Sequence, residues 1–205
     1  MESKKKSLRA RERNETKRAA WREDVAPVGP EDLVFVDETG SHLGYTPTHA
    51  WAPVGQRAYA TAPANRGENK TVVAALTLDG VGPRMRFAGA MTTARFERYV
   101  RFVLAPTLRT GQVVIADNLQ AHLGPVVRAA IEPRGARFLP LPPYSPDFNP
   151  IEEAFSKVKQ SLRRAEARTD DALRAATWAA FDTITSADAA GWFTHCGYPP
   201  DDQPS

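Results

Sequence analysis

Leu33-Val34-Phe35-Val36-Asp37 is an apolar, β-rich run closed by an aspartate. A strand without polar alternation is one buried on both faces, the habit of a parallel sheet covered by helices on each side. Val113-Val114-Ile115-Ala116-Asp117 repeats the pattern, again ending in an aspartate. Residues 71–78 predict a strand that stops at the Asp79-Gly80 turn signal, residues 84–88 another, and residues 136–141 a last. Helical spacing falls on 93–105, where Phe96, Val100, Val103 and Leu104 share a face, and on 125–132, behind Gly124-Pro125. It falls again on 150–164, 170–184 and 187–194, with Thr169 and Ser186 as caps of the last two. Strands first, then alternating strand and helix, then helices alone predict an α/β fold: a mixed sheet with a helical C-terminal layer.

Two connections stand out. Residues 40–70 are long and polar, with at most a short strand near Trp51–Val54; loops of this length are functional or disordered. Residues 140–150 contain Pro140, Pro142, Pro143, Pro146 and Pro150, which make a stiff, extended spacer leading into a helix.

If the strands at 33–36 and 113–116 are parallel neighbours, Asp37 and Asp117 lie about 5 Å apart. They then sit where open α/β sheets bind ligands, at the carboxyl ends of the strands. Two ionised carboxylates that close repel, so one takes up a proton or a cation sits between them. Oxygen ligands with no cysteine nearby favour a hard cation, Mg²⁺ or Mn²⁺.

A third acid comes from the helix after the prolines. At about 100° per residue, Ile151, Ala154, Phe155, Val158 and Leu162 form its core face. Glu152 borders that face and can reach the end of the sheet, whereas Glu153 points to solvent. Ser156, Lys159 and Arg163 share the stripe of Glu152, a basic track of the kind a nucleic-acid strand needs.

Plainer readings exist for each residue. A strand-end Asp is a common turn or cap residue. Asn149-Pro150-Ile151-Glu152 fits a capping box, with Asn149 as N-cap, Pro150 at N1 and Glu152 at N3. Lys159 and Arg163 suit a solvated helix face. His122 suits a surface turn or a packing position, Trp51 and Trp192 are packing residues, and Cys196 is an inert thiol.

Composition narrows the class. The chain has 205 residues, 42% of them hydrophobic, enough for one core. Its net charge of +3 hides an asymmetry. Residues 1–22 hold nine basic and three acidic side chains, and so carry a net +6 against −3 for the rest. With few apolar residues, this arm reads as a solvated helix, a linker or a phosphate-contacting tail. No apolar run approaches a membrane span, and no apolar stretch follows the basic N-terminus as in a signal peptide. One cysteine rules out an intrachain disulfide and a multi-cysteine zinc site. The expectation is a soluble, cytoplasmic protein.

Three blocks together resemble the DDE transposases of the mariner superfamily, especially the bacterial insertion-sequence-630 group. They are Leu33-Val34-Phe35-Val36-Asp37-Glu38-Thr39; Val114-Ile115-Ala116-Asp117-Asn118, with His122 following; and Tyr144-Ser145-Pro146-Asp147-Phe148-Asn149-Pro150-Ile151-Glu152-Glu153, continuing to Phe155 and Lys159. Thirty-four residues separate Asp117 from Glu152. This is the family's spacing, and it selects Glu152 over Glu153, as the helix face does. Trp192-Phe193 and His195-Cys196-Gly197-Tyr198 are similar to that group's C-terminal end.

The resemblance implies an RNase H-like fold, a mixed five-stranded sheet flanked by helices. It implies Asp37, Asp117 and Glu152 as catalytic ligands of two Mg²⁺ or Mn²⁺ ions, with Asn118 and His122 in support and Ser156, Lys159 and Arg163 toward DNA. The chemistry it implies is two in-line phosphoryl transfers. Water first cuts the transposon end, and the freed 3′ hydroxyl then attacks target DNA, typically at a TA dinucleotide. The implied partners are double-stranded DNA, as transposon ends and target, and a second copy of the chain in a homodimer on that DNA. Residues 43–65 occupy the place of an insertion that mediates dimer contacts in relatives.

The expected organisation is a basic linker or arm at 1–30, the catalytic domain at 31–198 and a disordered tail at 199–205. Relatives carry helix-turn-helix modules ahead of the catalytic domain, so the chain reads as a catalytic half, with such a module on a separate subunit. Two other readings stay open: an RNase H-like nuclease without strand transfer, and a degenerate transposase fragment that only binds DNA or a partner.

Overall fold

The computed structural model describes residues 11–119 and 122–200. The first ten residues of the arm and residues 201–205 of the tail lie outside the described residues. In chain order the elements are α1 (Glu15–Val25), β1 (Leu33–Ser41), β2 (Lys70–Thr77), β3 (Gly80–Ala88), α2 (Thr93–Tyr99), β4 (Val113–Ala116), α3 (Pro125–Ile131), β5 (Arg137–Pro140), α4 (Ile151–Ala165), α5 (Asp170–Asp182) and α6 (Ser186–His195).

The strands form one sheet in the order β3-β2-β1-β4-β5. β3, β2 and β1 pair antiparallel, and β4 and β5 join parallel. This is the mixed, helix-flanked α/β sheet expected.

Side chains alternate across the sheet. Leu33, Phe35, Val72, Ala74, Leu76, Val113 and Ile115 pack in one core with α1, α4, α5 and α6. Val34, Val36, Val73, Ala75, Val114 and Ala116 pack in another with α2 and α3. Both faces are covered, which is why the central strands read as unbroken apolar runs. On α4, Ile151, Ala154, Phe155, Val158 and Leu162 are buried, the face that helical spacing assigns to the core. Burying each of the larger ones contributes about 1.5–3 kcal/mol.

Several local expectations fail. β1 does not end at Asp37. Its antiparallel ladder with β2 continues to the Ser41–Lys70 pair, while the parallel ladder with β4 stops at Val36–Ala116. Asp37 therefore lies where its parallel neighbour ends. The helix expected over 93–105 is α-helical only to Tyr99. A π turn (Val100–Leu104) and a 3-10 turn (Ala105–Thr107) follow, the latter containing Pro106, which cannot donate to a helix. The connection forms no strand near Trp51–Val54, within the expectation of at most a short one. Trp51 is fully exposed and so is not a packing residue, whereas Trp192 does pack against the core. α6 is capped by Thr185 rather than Ser186: the Thr185 hydroxyl accepts from the Asp188 amide, and the Asp188 carboxylate accepts from the Thr185 amide.

The described part of the basic arm is docked. Arg18, Trp21 and Val25 of α1 are buried. The Trp21 indole stacks on Phe148 at 5.4 Å and donates to the Pro140 carbonyl at 3.0 Å. Arg18 donates to both Asp147 oxygens, at 3.0 and 2.7 Å, and lies 3.7 Å over the Phe148 ring. α1 thereby holds the proline spacer, and with it the start of α4, against the sheet.

Candidate active site

Strand alternation sets the directions of the acids. Asp37 shares parity with Leu33 and Phe35, so it faces α4. Glu38 shares parity with Val34 and Val36, so it faces the α2 layer. Asp117 follows the last residue of β4 and is next in register to Asp37. Pro150 and the 3-10 turn Pro146–Phe148 end the spacer and start α4, which puts Glu152 in its first turn. Asp37, Asp117 and Glu152 line a single cleft of about 460 Å³, together with Asn118, Tyr144 and Asn149. Tyr144 holds a left-handed backbone, with φ of 55°, a conformation uncommon for a bulky side chain.

Asp37 is only 8% exposed. Burial, then the charges of Glu152, Glu38 and Asp117, push its carboxyl up to about 8, against the lowering effect of the Glu38 backbone N–H. A carboxyl in that environment ionises at neutral pH when a cation lies beside it. The donors are all oxygen: three carboxylates and the Asn149 amide oxygen, which is buried with no hydrogen-bond partner. This set fits a hard divalent cation. Among the described residues, no three His, Cys, Asp or Glu side chains converge closely enough to hold an ion as they stand.

Two of the acids are paired with neighbouring side chains. Asn149 Nδ2 donates to Asp37 Oδ2 at 3.0 Å. Asn149 therefore does not cap α4: Pro150 is the N-cap, and Glu152 stands at the second helical position rather than the third. His122 is fully buried. Its Nδ1 meets Asp117 Oδ1, its Nε2 lies 3.3 Å from Glu38 Oε2, and its ring lies 3.9 Å from that of Phe96. Burial pulls the imidazole pKa down, but the carboxylates of Asp117 and Glu38 outweigh it and raise it to about 9. The imidazole thus bridges an acid of the cleft to an acid of the opposite sheet face.

Residues 32–174 match the family model described as DDE superfamily endonuclease. This chain belongs to that family. The Tc1 transposase of Caenorhabditis elegans is 25% identical to it over 173 residues, which cover 78% of this chain and 63% of Tc1. The Mos1 mariner transposase in its paired-end complex with Mn superposes with a TM-score of 0.69 at 18% identity, covering 96% of this chain and 63% of Mos1. The Mos1 catalytic domain alone matches with a TM-score of 0.58 at 15% identity, covering 89% of this chain and 83% of that domain. The chain thus spans just under two thirds of the full-length relatives. Its fold is the RNase H-like fold of the Mos1 catalytic domain.

In this member of the DDE superfamily endonuclease family the remaining candidates divide by location. Asn118 is exposed on the rim of the cleft. Ser156, Lys159 and Arg163 run along α4 away from it, with Lys159 and Arg163 half-buried. Glu153 does not point freely to solvent but pairs with His195. Cys196 is buried, and burial raises its thiol to about 12, so it stays protonated. Two neighbours of the acids lie outside the sequence-derived site: Asn149 in the cleft wall and Glu38 on the opposite sheet face. Asn149 was assigned to a cap because Asn-Pro is also a helix-start signal. Glu38 carried a usable signal, since strand alternation alone puts it opposite Asp37.

Proposed function

We propose that this chain is the catalytic unit of a DNA transposase, with residues 31–198 as the unit and residues 1–30 as a basic arm docked on it through α1. The observation that carries this reading is the meeting of Asp37, Asp117 and Glu152 in one cleft at the edge of the parallel β1–β4 pair. These three acids are the catalytic residues and would hold the metal, Mg²⁺ or Mn²⁺, in the family's two-ion arrangement. Such ions supply activation of the attacking hydroxyl and stabilisation of the leaving oxygen.

The chain's own residues provide the placement. Asp37 and Asp117 are carried on neighbouring strands, and Glu152 is brought to them by the stiff spacer. Asn149 orients Asp37, and His122 positions Asp117; Asn118 supports the rim. Rigid placement of this kind supplies much of the rate in phosphoryl transfer. Water is the first nucleophile, at the transposon end, and the freed 3′ hydroxyl is the second, at target DNA.

Mos1 is named in complexes with transposon ends, which supports double-stranded DNA as the substrate. We read Ser156, Lys159 and Arg163 as DNA contacts. A homodimer on DNA is supported by the fully exposed Trp51, Val54 and Tyr59, which lie in the place of the relatives' dimer-contact insertion. A separate helix-turn-helix subunit would supply recognition of the ends.

The test is product analysis with Mn²⁺, a pre-cut transposon end and a plasmid target. Joined products that vanish in Asp37→Asn and Glu152→Gln support the reading. Nicks without joining favour a nuclease, and no products from the wild type favour a fragment that only binds.

A further inference from the structure

The long connection after β1 is not loose where it meets α4. Leu43 N–H donates to the Arg66 carbonyl at 3.0 Å, and the Tyr45 hydroxyl donates to the Gly40 carbonyl at 3.1 Å. The His42 and Tyr45 rings stack at 4.5 Å. Arg168, just beyond α4, donates to the carbonyls of Leu43 and Tyr45 at 3.1 and 2.8 Å. This anchored segment and the last turns of α4 enclose a notch of about 450 Å³, lined by Pro47, Thr48, His49, Gln160, Arg163 and Arg164.

The charge in the notch is uncompensated. Among the described residues, Arg163 and Arg164 form no ion pair, whereas Arg168 pairs with Glu166, and Arg174 with Asp171. Arg163 is steered toward the loop, its guanidinium carbon 5.7 Å from the Tyr45 ring centroid. Thr48 Oγ1 and His49 Nδ1 lie 3.0 Å apart at the opposite wall. Two guanidiniums share this notch with the side chains of Thr48, His49 and Gln160, and no acid lines it, a composition that suits an anion such as a phosphodiester.

Its position names the phosphate. Arg163 and Arg164 follow Glu152 by eleven and twelve residues on one straight helix, which is about 17 Å at 1.5 Å per residue. Duplex DNA rises about 3.4 Å per base pair along its axis, so a duplex lying along α4 covers that length in roughly five nucleotides of each strand. We infer that the notch between the Pro47–His49 segment and the end of α4 seats one backbone phosphate of the bound DNA, about five nucleotides from the reacting phosphodiester. The inference rests on the transposase reading. It adds a clamp, built half from the loop and half from α4, that sets how far the strand extends past the cleft.

The test is the salt dependence of binding to a short DNA duplex, measured on the full chain. Arg163→Gln with Arg164→Gln is expected to lower the slope of log Kobs against log [salt] by about one, since the notch seats one phosphate and each phosphate contact contributes about 0.9. The charge-keeping pair Arg163→Lys with Arg164→Lys is expected to keep most of that slope. The control pair Arg128→Gln with Arg174→Gln removes equal charge from other sites and is expected to leave it nearly intact. Equal slopes for the wild type and the notch pair overturn the inference, as does an equal fall in the control pair. Mn²⁺ binding measured in parallel separates the two readings. An intact metal site with an unchanged slope sinks only the notch, whereas loss of both metal and DNA binding in the wild type sinks the transposase reading as well.

Discussion

Asn149 shows how one side chain can be spent in two ways. Its position before Pro150 suits a helix cap, yet its amide donates to Asp37 inside the cleft. Leaving a buried polar group unpaired costs about 1–3 kcal/mol, against about 1 kcal/mol for a typical cap, so the acid wins. Asn149→Ala is expected to weaken Mn²⁺ binding about tenfold while leaving α4 helical, read by metal titration alongside circular dichroism. Loss of helix with unchanged metal affinity would return Asn149 to the role of a cap. The three acids themselves are legible from sequence because each sits at the end of a periodic signal: two apolar strand runs and one amphipathic helix. Asn149 is not, because its partner is 112 residues away and only the folded sheet brings the two together. The link from His122 to Glu38 is hidden for the same reason.

At the scale of elements, α1 and the spacer act as one unit. Arg18 is buried against Asp147 and Phe148, next to the helix that carries Glu152. A double-mutant cycle of Arg18→Ala and Asp147→Ala in urea unfolding is expected to give a coupling of about 1–2 kcal/mol. The value is tempered by Asp147, whose side chain is half exposed. Additive effects would mean that α1 is held by Trp21 and Val25 alone.

The cap of α6 carries a pH dependence. Lys157, then the Thr185 backbone N–H, push the Asp188 carboxyl down to about 2. A carboxyl depressed on folding stabilises the fold above its unfolded value of about 3.9. That stability fades as pH falls through about 2. Asp188→Asn is therefore expected to flatten the loss of stability between about pH 4 and pH 2, measured by thermal melts across that range. An unchanged acid profile would remove Asp188 from the account. The helices and strands themselves were largely legible, since period and length mark them. The docking of α1 was not, because its stripe of Arg18, Trp21 and Val25 lies inside a run dominated by charge. The break of the 93–105 helix was equally hidden, because apolar spacing reads the same through an α and a π turn.

At the scale of the whole molecule, a sheet buried on both faces delivers two strand-borne acids to one edge. A docked arm and a proline spacer deliver a third from the helical layer. The long loop after β1 is the part that periodicity could not describe: it has no strand, it exposes Trp51, and part of it is anchored by Arg168. The proposed function requires these distant segments to fold into one metal-binding cleft. The most direct measurement is Mn²⁺ binding by electron paramagnetic resonance at millimolar metal, on the wild type and on Asp37→Asn, Asp117→Asn and Glu152→Gln. Binding to the wild type that weakens at least about tenfold in each variant, a loss of about 1.4 kcal/mol or more, is the expected result. Equal binding in all four proteins, or none in the wild type, would contradict it.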